Sequence, residues 1–345
     1  MAIALQQGLV SCGSRAWIVC LTLVLAAAGR ADEKDRFSLN THLGFNLKAD
    51  FKGLGGFPAQ TNPGPDAGGA NHEYDDGFNR VDAGANSGGK TWYWGYQSGS
   101  QLRDDAVAMS SSSAPGTAEL DGVRDDPQYG VELTYARELG SNSSYWWGVV
   151  AGVSWVNLTF RENATFNSDV QRLTDTYSLG GIVAPTAPYA GTFNGPGPLI
   201  ADDPVRRIDT LPGAAVTTGQ YSLEANLYTL RLGLVYESPF NDWLALQFGG
   251  GGVGGILDSE FRFSEQVSLA GVGNLNRGGS SSETGLVGGA YGEVGFIFYL
   301  GERWTATASV QYQYLSDFSQ KTDGKKATVG FKDTLYLCVG VGTRF

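Results

Sequence analysis

Cysteine, histidine, charge and long apolar runs are all scarce in this chain of 345 residues. Cys12 and Cys20 fall in an apolar N-terminal stretch, so beyond it only Cys338 remains and an intramolecular disulfide is excluded. With two histidines, His42 and His72, neither beside a recognisable serine motif, a nucleophile–base enzyme is not expected. Charged residues make up 17% of the chain, and past the N-terminal stretch no apolar run reaches the roughly 18 residues that a spanning helix needs. Lysine and arginine number 24 against 35 acidic residues, a balance that argues against nucleic acid as a partner.

The N-terminal stretch is read as a secretory signal over residues 1–31. Arg15 precedes the apolar run from Ala16 to Ala28, and Ala26, Ala27, Ala28, Gly29 and Ala31 supply small residues for cleavage, before Asp32 or after Ala28. Losing Arg15 and Arg30 leaves 22 basic against 35 acidic residues, a net charge of −13. Residues 32–345 then form one domain.

Glycine (50) and aromatics (12%) are plentiful, and they sit in a pattern. Eight stretches alternate apolar and polar side chains: Phe37 to Phe51, Gln128 to Leu139, Tyr145 to Arg161, Tyr221 to Glu237, Trp243 to Phe263, Thr284 to Leu300, Trp304 to Phe318 and Gly330 to Phe345. The connections between them are short around Gly140, Asn241 and Gly301, and long over 52–127, 162–220, 264–283 and 319–329. That arrangement predicts an all-β protein, an antiparallel transmembrane barrel of eight strands with short periplasmic turns and long extracellular loops. Thr91 to Leu102 and Ala106 to Ser113 could add a hairpin, raising the count to ten or extending the barrel above the membrane.

Alternation alone also fits a soluble barrel that packs its apolar face inward. Two observations favour lipid. Aromatics recur eight residues apart on the apolar face: Phe37 with Phe45, Trp147 with Trp155, Tyr228 with Tyr236, Trp304 with Tyr312. That spacing covers roughly 20 Å of membrane normal, close to the height between two interfacial girdles. The polar faces are rich in Gly, Ser, Thr and Gln, where the outside of a soluble barrel would carry Lys and Glu.

The whole chain after the signal resembles the OmpA-like group of small outer-membrane β-barrels. The resemblance rests on the signal segment and on the last strand, with Leu337, Val339, Val341 and the terminal Phe345; Thr343 departs from the pattern, standing where a bulkier apolar residue is usual. It implies an outer-membrane location in a Gram-negative-type cell, a bilayer and lipopolysaccharide as surroundings, and Phe345 as a signal to the barrel assembly machinery and periplasmic chaperones. The wall-anchoring role of larger relatives does not carry over, since no peptidoglycan-binding domain follows the last strand.

Counting inward positions from the short turns puts Glu132, Arg231, Glu293 and Gln311 in one layer of the lumen, with His42, Tyr291 and Gln247 as neighbours. An arginine in a narrow barrel must be paired, so Arg231 is expected to bridge Glu132, Glu293 or both. The cluster reads either as a plug or as a gate to a small conduit. Cys338 faces inward as a small filler, and the run from Gly249 to Gly255 suggests a bend or close backbone approach. Asp75, Asp76, Asp82 and Asn86 carry oxygen ligands in a Gly-rich loop, but their spacing does not match a twelve-residue calcium loop, so neither metal nor cofactor is expected. The proline-bearing loop with Pro185, Pro188, Pro196, Pro198 and Pro204 has enough apolar residues to fold over the barrel mouth, as a packed lid or as a site for a surface ligand. The function read from these features is structural or surface-binding with an occluded lumen; the alternative is a narrow channel for ions or small polar solutes.

Overall fold

In the computed structural model, residues 35–269 and 273–344 are described; the stretch expected to be a signal, 1–31, and Phe345 lie outside them. Eight antiparallel strands form the barrel: β1 Asp35–Phe45, β2 Gln128–Ser141, β3 Trp146–Ser178, β4 Val205–Asn241, β5 Leu244–Leu269, β6 Gly273–Tyr299, β7 Trp304–Leu315 and β8 Thr334–Arg344. Each pairs with its sequence neighbour, although the chain between β1 and β2 and between β7 and β8 passes through further structure, and β1 pairs with β8 to close the ring. The ring has eight members. Ala106–Ser113 pairs with Gln171–Ser178 of β3 far above it, so the extra hairpin extends the structure and does not widen the barrel.

The outward face fits lipid. Leu39 is 57% exposed, Leu232 57% and Val341 54%, whereas Glu132 and Arg231 are buried inside. The two expected girdles appear as cross-strand pairs: Trp147 opposite Tyr236 near the short turns, and Trp155 opposite Tyr228 eight residues higher. Trp155 points its indole N–H upward to Asn226 Oδ1 at 3.0 Å, placing the polar end of the ring at the edge of the belt.

Strands β3 to β6 run to 33, 37, 26 and 27 residues, far beyond the roughly 9–11 that cross a bilayer. Much of the stretches read as loops over 162–220 and 264–283 is therefore strand: β3 and β4 stay paired up to Thr176 and Val205, and β5 and β6 up to Leu269 and Gly273. The polarity of both faces reverses at one height. Outside, the row Trp155, Tyr228, Ile256, Leu286 gives way to Asn157, Asn226, Asp258, Thr284. Inside, the polar lumen gives way to Val156, Leu158, Phe160, Leu223, Leu227, Leu257 and Phe261, all buried. Above the belt the solvent is water, so the apolar side must turn inward to be buried.

The second wall of this extension is a four-stranded sheet in the order Phe318–Thr322, Lys325–Gly330, Lys48–Leu54, Ala118–Val123, which continues β7, β8, β1 and β2 upward. Asn46, at a φ of 63°, makes the kink between β1 and its continuation. The two walls meet through fully buried Phe51, Phe160, Phe261 and Phe331, with the Phe51 and Phe261 rings stacked at 5.6 Å. At the far end, segments within 57–114 and 170–206 form a distal head around Tyr74, Trp94, Tyr96, Val107, Met109 and Tyr177. The proline-bearing loop belongs to this head: Tyr189 pairs with Tyr96 and Ile200 with Thr91, so it packs against the first loop and not over the barrel mouth.

Candidate functional site

The lumen at mid-belt is built around Arg231 on β4. Its Nε and Nη2 donate to the two oxygens of Glu132 on β2, at 2.5 and 2.9 Å, and its Nη1 donates to Glu293 Oε2 on β6 at 2.9 Å. The bidentate fork on one carboxylate and a single bond to the other engage all three nitrogens of the planar guanidinium. His42 Nε2 lies 3.3 Å from Glu132 Oε2, and Ser309 donates to Glu293 Oε1 at 2.8 Å. The guanidinium carbon of Arg231 lies over the Tyr291 ring, 4.8 Å from its centre.

Glycine makes this layer possible. A Cβ on Gly152, which pairs with Arg231, would stand 2.7 Å from both Arg231 Nε and Glu132 Oε1. Gly233 likewise leaves the space taken by the Tyr291 hydroxyl. In the run Gly249 to Gly255 the pairing stays in register on both sides, and the missing side chains allow close approach of the β4 backbone at Gly251.

Gln311 pairs with Glu293 across the β6–β7 ladder and is fully buried, but its Oε1 accepts from Gln313 Nε2 at 2.7 Å instead of joining the arginine cluster. Gln247 sits lower, where its Oε1 accepts from Arg36 Nη2 at 3.1 Å. Several lumen atoms have no hydrogen-bond partner, among them His42 Nδ1, Gln311 Nε2, Gln313 Oε1 and the Tyr291 hydroxyl. A void of about 30 Å³ lies beside Arg231, Glu293 and Ser309, with room for water.

A second buried layer was not foreseen. At the periplasmic end Glu237, 0% exposed, accepts from Arg36 Nη1 at 2.8 Å, from Arg344 Nη2 at 3.3 Å and from the Tyr299 hydroxyl. Glu237 marks the end of the β4 alternation, and Arg36 and Arg344 sit at strand ends, where alternation carries least information. A third layer lies above the belt, where Lys325 Nζ is 3.1 Å from Glu265 Oε2, both fully buried, and Tyr221 donates to Glu265 Oε1 at 2.8 Å. Burial, then the Glu265 carboxylate, pushes the Tyr221 phenol up.

A fourth lies in the distal head, where Arg206 Nη2 and the Tyr74 hydroxyl both donate to Asp175 Oδ2 at 2.6 Å. The acidic residues of the first loop serve that head: Asp75 accepts from Ser112 N, Asp76 from Ser110 N, and Asp82 from the backbone N–H groups of Gly84, Asn86 and Trp92. His72 is buried there with Nδ1 2.5 Å from the Pro63 carbonyl. Cys338 is buried in the lumen.

No protein-family model matches the sequence, and no curated protein matches it. Among solved structures the chain is similar to Ail, the attachment invasion locus protein of Yersinia pestis, at 12% identity over 90% of this chain and 99% of that one, with a TM-score of 0.27. It is similar to the outer membrane protein OprG from Pseudomonas aeruginosa at 10% identity, covering 89% and 96%, with a TM-score of 0.28. A Pseudomonas aeruginosa FadL homologue aligns at 10% identity over 90% of each chain, with a TM-score of 0.18. Values this low say nothing of substrate or partner. The closed register, the aromatic girdles and the reversal of polarity at the upper girdle carry the assignment: the chain is an outer-membrane β-barrel protein with eight strands in the membrane.

Proposed function

We propose that this protein is a surface-presenting barrel whose lumen is plugged and whose long β extension holds a folded head well outside the membrane. The observation that carries this reading is the filling of the axis: Glu237, then Glu132–Arg231–Glu293, then an aromatic layer of Phe51, Tyr221 and Phe261 succeed one another along the inside. Eight strands leave room for little beyond side chains, and here the side chains occupy it. The head, with its own apolar core and its Pro-rich segment, supplies the surface for a ligand. The OmpA-like kinship, contacts with lipopolysaccharide around the polar rows above the upper girdle, and delivery by periplasmic chaperones and the barrel assembly machinery through Phe345 belong to the same proposal.

Planar-bilayer recordings test it. The wild-type protein should give no steady conductance, and Arg231→Ala should give none either, because the aromatic layer above remains in place. A stable open level in the wild type, or one that appears with Arg231→Ala, favours instead the narrow channel gated by the arginine layer, a reading to which the unpartnered lumen atoms and the small void lend support.

A further inference from the structure

The distal part of β4 is an unprotected sheet edge. From Val205 to Leu211 it pairs with β3, from Thr176↔Val205 to Val170↔Leu211, while pairing with β5 begins only at Ala215↔Leu269. Among the described residues no strand pairs with its other side, so a row of backbone N–H and C=O groups faces outward there. Pro204 and Pro212 bracket the segment, and between them it holds neither proline nor lysine. Val205 and Ile208 are 74% and 65% exposed, unlike the aromatics of the head, which are largely buried.

The segment is complementary to itself. It reads Val-Arg-Arg-Ile-Asp-Thr-Leu, and laid antiparallel on a second copy about Ile208 it sets Ile208 against Ile208, Val205 against Leu211, and Arg207 against Asp209 twice. Alternation puts Val205, Arg207, Asp209 and Leu211 on one face, where Arg207 Nε already donates to Asp209 Oδ1 at 2.8 Å within the chain. The Arg207 side chain is exposed and that of Asp209 is half-buried, so both can reach a partner strand. Directly opposed unlike charges and apolar pairs are the contacts that stabilise antiparallel strands.

We propose that Val205–Leu211 is a homotypic pairing edge, at which a second copy of this chain adds its own Val205–Leu211 as an antiparallel strand. This deepens the surface-presenting reading and rests on it. The dyad that relates two antiparallel edge strands is perpendicular to their sheet, and a barrel wall stands upright on the membrane. Such a dyad inverts the membrane normal, so the two copies must be anchored in facing membranes. The segment lies 17 to 23 residues along β4 from Tyr228, roughly 45–60 Å above the upper girdle at ordinary rise and tilt, which lets it meet a copy on another surface.

Vesicle clustering tests it. Full-length protein is reconstituted into phosphatidylcholine vesicles, with protein-free vesicles as control, and clustering is followed by light scattering. Wild-type vesicles should cluster. Arg207→Glu opposes two acidic pairs across the dyad and Asp209→Arg opposes two basic ones, so each alone should reduce clustering at least about tenfold. Vesicles bearing Arg207→Glu mixed with vesicles bearing Asp209→Arg should cluster again, as should vesicles bearing both changes in one chain. Unchanged heat-modified gel migration shows that each variant keeps its barrel. Dispersed wild-type vesicles, undiminished clustering by either single variant, or failure of the mixture to cluster overturns the pairing edge; the occluded lumen is read separately, by conductance.

Discussion

Gln128 and Thr159 exchange two hydrogen bonds across the junction between the membrane barrel and its extension. Gln128 Nε2 donates to the Thr159 carbonyl at 3.1 Å, and the Thr159 N–H donates to Gln128 Oε1 at 2.9 Å. Here β2 has only begun, its first pairs with β3 being Tyr129↔Asn157 and Gly130↔Val156. The side-chain amide thus takes the place of a peptide group and carries the ladder one step beyond the last backbone partner. It satisfies Thr159 where β3 leaves the ring, at the height where Val156 and Leu158 begin the apolar interior.

Replacing Gln128 by alanine should leave the Thr159 N–H and C=O without partners at a half-buried edge, at a cost of about 1–3 kcal/mol. Hydrogen exchange resolved to peptides should show faster exchange at Thr159 and its neighbours on β3, with protection at Ala151 to Val153 unchanged. Equal protection at Thr159 in wild type and variant would refute the role given to this amide.

The barrel strands and the Arg231 layer were legible because one solvent acts on one face throughout the belt. Trp147, Val149, Ala151, Val153 and Trp155 keep a single parity, and counting from the turns then brings Glu132, Arg231 and Glu293 together. The extension was not legible because the parity changes: on β3 the apolar positions pass from odd numbers to Val156, Leu158 and Phe160, and on β4 from even numbers to Leu227, Ala225, Leu223 and Tyr221. A phase change in alternation looks like the end of a strand, although the backbone continues. The β5–β6 hairpin was hidden by composition as well, since Gly278, Gly279 and Ser280 to Ser282 face water or fill small gaps and carry little hydropathy signal.

Arg231→Ala should destabilise the barrel by about 3–5 kcal/mol, because it leaves Glu132 and Glu293 buried without a counter-charge. The midpoint of heat-modified migration in detergent gels measures this. The triple change Glu132→Gln, Arg231→Met, Glu293→Gln removes charge from the layer together and should recover much of the loss. Recovery would show that the penalty is stranded charge; a triple variant as weak as Arg231→Ala would contradict that.

Gly152→Ala isolates packing from charge. Its added methyl would crowd Arg231 Nε and Glu132 Oε1, which are locked in a bidentate pair and have little freedom to yield. The expected loss is about 1–3 kcal/mol, with the same gel midpoint as readout. In a background carrying Glu132→Ala and Arg231→Ala the methyl has nothing to strike, so Gly152→Ala should there be close to neutral. An equal loss in both backgrounds would place the strain elsewhere than in the ion pair.

Alkali should destabilise the extension. Burial, reinforced by Asp175 at Tyr74 and by Glu265 at Tyr221, pushes the phenols of Tyr74, Tyr177 and Tyr221 up. The folded state therefore holds these protons beyond the unfolded value of about 10. Their contribution to stability is complete below that pH and is lost as pH rises toward the folded values. Tyrosinate absorbance followed against pH should show these phenols ionising late, together with loss of protection from hydrogen exchange in β3 above Phe160. In the variant Tyr74→Phe, Tyr177→Phe, Tyr221→Phe that late absorbance should fall and the alkaline loss of protection should shift to higher pH. A late phase of undiminished amplitude would show that other tyrosines produce it.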